Sequence, residues 1–111
     1  MKKLFTNYNF DFDKNEKKLL ATFCKQTLKQ TEGDSKFFAE SKAFNSILVK
    51  LKSDSDSVKL TKDERIRLEH QLTENVKFLK KESGKSWFIK KFLYKSMIKQ
   101  YENIINKHFK D

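Results

Sequence analysis

From Asp13 to Phe109, apolar side chains recur every three or four positions, the period of an amphipathic helix, in stretches broken by polar or glycine-containing segments. Leu19, Leu20, Phe23, Cys24, Thr27 and Leu28 make the first stripe. Asp13-Lys14-Asn15-Glu16 ahead of it has the capping-box form, an acceptor at the N-cap and Glu at the third helical position. Gly33 is a natural stop, and Asp34 or Ser35 caps the next helix, whose stripe is Phe37, Phe44, Ile47, Leu48 and Leu51. Ser53-Asp54-Ser55-Asp56-Ser57 reads as a solvated loop. Thr61-Lys62-Asp63-Glu64 repeats the capping box and opens a stripe of Leu68, Leu72, Val76 and Leu79, with Phe78 beside it. Gly84 is expected to end or bend that helix, and Ser86 to cap a fourth that runs to about Phe109. Helices are thus predicted over about 14–31, 36–52, 62–83 and 86–109.

The head of the chain has a different period. Tyr8, Phe10 and Phe12 alternate with Asn7, Asn9, Asp11 and Asp13, a strand-like pattern for which no later segment offers an evident partner. Because an isolated strand is unstable in water, residues 1–12 are read as an extended arm whose aromatics lie across the helices. Pairing with another chain's arm is the alternative. The short connections expected between helices imply antiparallel neighbours. The expected fold class is all-α: a single-domain antiparallel four-helix bundle with an extended aromatic N-terminal arm.

Composition narrows this. Two glycines and no proline among 111 residues disfavour a many-stranded sandwich or barrel, and 37% hydrophobic with 14% aromatic content is enough to bury a core. The formal net charge is +10, but only Arg65 and Arg67 among the 25 basic residues are arginine. A lysine-rich composition is partly what a low-GC genome encodes, and such a bias has no reason to group the charge. The charge is nevertheless grouped. Residues 77–111 carry 10 basic against 3 acidic side chains, a net of +7, and residues 1–76 carry only +3.

On a helical wheel, Trp87, Leu93, Tyr94, Met97, Ile98, Tyr101, Ile104 and Ile105 form one broad stripe, wide enough to be core. Phe88, Ile89 and Phe92 fall off it, beside Lys95 and Lys99. One reading buries the start of this helix nearly all round, with Phe88 and Phe92 under the arm's Tyr8, Phe10 and Phe12 and with lysine stems draped over the edges. A second makes Trp87, Phe88, Phe92 and the flanking lysines an interaction patch for an acidic protein partner, or for self-association. A third assigns Lys77, Lys80, Lys81, Lys85, Lys90, Lys91, Lys95 and Lys99 to sequence-nonspecific nucleic acid or to a peripheral anionic membrane surface. A cluster made of lysine alone favours salt-sensitive attraction over the bidentate reading that arginine gives.

Candidate chemistry is sparse. Cys24, His70 and His108 have no ligand partner at metal-site spacing, and the Asp54/Asp56 run fails as a calcium loop because Lys59 and Arg65 stand where Gly and Glu are needed. Cys24 sits on an apolar stripe away from any helix start, and the chain has no phosphate-cradling glycine motif. The expectation is a non-enzymatic module with no cofactor and no metal. No apolar run can span a bilayer, Thr6, Asn7 and Asn9 interrupt any signal-like segment, and one cysteine suits a reducing compartment, so a cytoplasmic location is expected. At class level, in size, charge and architecture, the chain resembles the immunity proteins that protect low-GC bacteria from their own bacteriocins, and small accessory proteins of phages. That likeness implies a regulatory or immunity-like interaction role.

Overall fold

Both capping boxes form as the sequence dictates, and each starts a helix. Asp13 accepts from the backbone N–H of Glu16 at 2.7 Å while Glu16 accepts from the N–H of Asp13 at 2.9 Å, opening α1 (Lys14–Thr31). Thr61 and Glu64 exchange the same pair of bonds at 3.1 and 2.9 Å, opening α3 (Lys62–Lys85). Between them, Asp34 caps a 3-10 turn (Ser35–Phe37) that leads into α2 (Phe38–Lys52). The last helix, α4 (Phe88–Ile104), continues as a π-helical turn over Ile105–Phe109. The structure, a computed structural model, describes residues 8–85 and 87–110, and the side chains of Phe88 and Ile89 lie outside the described part. The cap expected at Ser86 and the first seven residues of the arm also lie outside it. The described residues form four α-helices and one small sheet, the all-α class that the stripes predict.

The sheet corrects the reading of the head as an unpaired arm. Tyr8–Phe10 (β1) pairs antiparallel with Val58–Leu60 (β2), Tyr8 opposite Leu60 and Phe10 opposite Val58. Val58-Lys59-Leu60 is too short to register as a period-two pattern, yet it buries both apolar residues and exposes the lysine between them. Phe10 and Phe12 are buried with their rings stacked, centroids 5.1 Å apart.

The chain divides into two compact units between Arg67 and Leu68. In the first, Ser41 Oγ donates to Thr31 Oγ1 at 2.8 Å, and Lys17 Nζ donates to the Ser55 carbonyl at 2.8 Å. The end of α1 thus meets the start of α2, and the start of α1 meets the segment after α2. The two helices run antiparallel. Leu20, Phe23, Cys24, Ala43, Phe44, Ile47, Leu51, Val58 and Leu60 are buried here; Phe37, expected on the buried stripe, is exposed. It belongs to the 3-10 turn, whose tighter winding takes it out of the α2 phase. The start of α3 is pinned to α2 by Lys50 Nζ–Glu64 Oε1 and Arg67 Nη1–Glu40 Oε1, both 2.6 Å.

In the second unit, Leu68, Leu72, Val76 and Leu79 of α3 are buried, as are Tyr101, Ile104, Ile105 and Phe109. Lys80 Nζ meets Glu102 Oε2 at 2.9 Å, tying α3 to the later turns of α4.

The two glycines play opposite parts. Gly33 has φ +79, the left-handed conformation that ends α1's final turn, so G33A should cost about 1 kcal/mol through backbone strain. Gly84, expected to end or bend α3, is its penultimate residue, and a Cβ there meets nothing within 4 Å. G84A should therefore stabilise by about 0.5 kcal/mol. Urea unfolding of the two variants should show midpoints moving in opposite directions.

Candidate functional site

The apolar stripe of α4 is buried along its second half and partly exposed along its first. Tyr101, Ile104 and Ile105 are buried, Tyr94 and Ile98 are half-buried, and Leu93 and Met97 are 58% and 37% exposed. Trp87, in extended conformation at the N-cap and offering no side-chain cap, is 84% exposed, and Phe92 is 73% exposed. This overturns the reading that core covers Phe92 and that Trp87, Leu93 and Met97 belong to the interior. Periodicity fixes which side of a helix is apolar, but a neighbour must be present to bury it, and among the described residues Trp87, Phe92, Leu93 and Met97 stay exposed.

The lysines follow the helical geometry. On α4, Lys91, Lys95 and Lys99 stand one turn apart in a row along one edge of the stripe, Lys90 lies within it, and all four are exposed. On α3, Lys77, Lys81 and Lys85 form a similar row; Lys77 pairs with Glu74 at 3.3 Å and Lys80 with Glu102. Among the described residues, Lys81, Lys85, Lys90, Lys91, Lys95 and Lys99 have no ion pair. Whether Phe88 joins the exposed group lies outside the described part.

The start of α4 is therefore a basic helix segment with uncovered apolar side chains. Sequence reasoning placed Leu93 and Met97 in the core and missed them as surface. A signal was present: Lys90 stands three, four and seven residues before Leu93, Tyr94 and Met97, on the same face of the helix. A lysine within the stripe marks the end that the chain leaves open.

The first unit offers a contrast. Lys14, Lys18, Lys25 and Lys52 rim an open groove of about 830 Å³, but Asp54 and Asp56 share that rim, so its charge is mixed. Chemistry elsewhere is muted. Burial pushes the Cys24 thiol up to about 12, which leaves no thiolate to act as a nucleophile near neutrality. Burial also raises Tyr101. Among the described residues no three His, Cys, Asp or Glu side chains cluster as metal ligands, and no helix is long and apolar enough to cross a membrane.

The chain matches no protein family, no curated protein and no solved structure.

Proposed function

We propose that this protein is a non-enzymatic interaction module whose first half of α4 docks an acidic partner protein. The observation that carries the reading is the stripe on α4: its apolar side chains are buried at Tyr101, Ile104 and Ile105 and exposed at Leu93 and Met97. Exposed contiguous apolar surface is costly in water and typically marks an interaction site. The unpaired lysines around it set the sign of the partner, since complementary charge speeds encounter and rejects basic competitors.

The test compares what the wild-type chain and an F92A/L93A variant retain when purified from the cells that make them. The expected result is an acidic protein held in equimolar amount by the wild type and lost by the variant. Because both side chains are exposed, the variant's urea midpoint should correspond to a stability change within about 0.5 kcal/mol. A variant that keeps the partner, or that loses stability like a core mutant, refutes the reading.

The six unpaired lysines also favour a second reading, sequence-nonspecific binding of nucleic acid or an anionic surface. It predicts retention on DNA, RNA or anionic vesicles that falls steeply with salt. It stands behind the first because phosphates have no use for exposed Leu93 and Met97.

A further inference from the structure

We infer that the acidic partner seats on one side of α4 only, the charge-free face of Phe92, Leu93, Ser96, Met97 and Gln100, with its carboxylates at Lys90 and Lys99 along the edges. This rests on the reading of that segment as a docking surface for a protein and adds which side of the helix the partner uses and which lysines it meets.

At about 100° per residue, Phe92, Ser96, Gln100, Leu93 and Met97 follow one another around an arc of about 140°, along about 12 Å of the helix. All five are exposed, and no residue of α4 inside that arc is charged. Lys90 borders the arc next to Met97, and Lys99 borders it next to Phe92. Lys91 is one position from Lys90 but about 100° further round, opposite the middle of the arc. Glu102 shares that far side with Lys91, and it meets Lys80 of α3 at 2.9 Å. The charge-free face is therefore the side of α4 turned away from α3. It is also the side that loses water at least cost, because burying Ser or Gln costs far less than burying an ammonium. Lysines at its two borders keep their charge at a wet rim.

The borders select the occupant. A second copy laid face to face would bring Lys90 and Lys99 of both chains to one rim, and the only acid of α4, Glu102, is on the far side and already paired. A helix lying in a membrane surface turns its most apolar side to the lipid. In α4 that side runs through Tyr94, Ile98 and Tyr101, which are half-buried or buried. A protein surface with an apolar centre between Asp or Glu side chains meets the face and both of its borders. Lys91 then stands about 10 Å away across the helix, more than the screening length of about 8 Å at physiological salt.

The test places a photoreactive phenylalanine analogue at Leu93, Gln100 or Lys91 of the full chain in the cells that make it. The expected result is one acidic protein captured from Leu93 and from Gln100, with a yield at least about tenfold lower from Lys91. K90E should lower the capture from Leu93 about tenfold, whereas K91E, the same change of charge one residue away, should alter it less than about twofold. Both lysines are exposed, so the urea midpoints of K90E and K91E should match that of the wild type. Capture of that protein from Lys91 as efficient as from Leu93, or equal effects of K90E and K91E, overturns the one-sided seat and leaves the docking reading standing. Products with only lipid, nucleic acid or a second copy, or no product at any position, overturn both.

Discussion

F44A should remove about 3–5 kcal/mol of stability, the range for deleting a large aromatic from a packed interior. Phe44 is 0% exposed and is among the largest side chains that the fold buries completely. It lies on α2, which packs antiparallel against α1 in the first unit. Small domains hold only about 5–15 kcal/mol in total, so the loss should leave a substantial unfolded fraction at moderate temperature. V49A on the same helix is the control. Val49 is 70% exposed, and its truncation should change stability by no more than about 0.5 kcal/mol. Urea titrations followed by circular dichroism read both. Equal losses at the two positions would mean that α2 does not bury the face described.

The second large effect belongs to Glu64, a buried carboxylate with two tasks. It accepts from the backbone N–H of Thr61 to close the α3 capping box, and it receives Lys50 Nζ at 2.6 Å. Burial pushes its carboxyl up. Hydrogen bonds from Lys50, Ser46 and the Thr61 backbone, with the charge of Lys50, together outweigh burial and hold it below the usual carboxylate range. E64A should cost about 2–3 kcal/mol: a lost cap, and a lost ion pair whose ammonium still reaches water and so suffers less than a fully buried one. The pH dependence has a definite sign. A carboxyl whose folded pKa is lowered stabilises fully above its unfolded value, about 4.3, and loses that contribution as pH falls through the folded value. Melting temperatures should thus drop for the wild type as pH falls below about 4.3, and drop less for E64A. Parallel acid limbs for the two proteins would show that Glu64 is not the group responsible.

What the sequence discloses tracks how local the physics is. Each capping box is complete within four residues, so Asp13-Lys14-Asn15-Glu16 and Thr61-Lys62-Asp63-Glu64 announce the two helix starts they form. Stripes such as Leu68, Leu72, Val76 and Leu79 are equally legible, because burial of one face repeats along the helix. The sheet is not. Its stability comes from pairing residues some fifty positions apart, and Val58-Lys59-Leu60 holds a single alternation. Gly84 marks the end of α3 to within one residue, because a weak helix former near a terminus acts locally. The candidate site was half legible. Grouped charge and off-stripe aromatics pointed to the start of the last helix, but the stripe could not say that Leu93 and Met97 in its first turns stay exposed. Lys90 within that stripe carried the missing hint.

The bare start of α4 is the claim from which the functional reading follows, and the protein contains its own reporter for it. Trp87 is the only tryptophan. Acrylamide quenching of its fluorescence in the isolated full chain should proceed nearly as fast as in the same chain unfolded in urea, with emission at the wavelength of tryptophan in water. Blue-shifted emission, with quenching several-fold slower than in the unfolded chain, would mean that the start of α4 is already covered and would contradict the account.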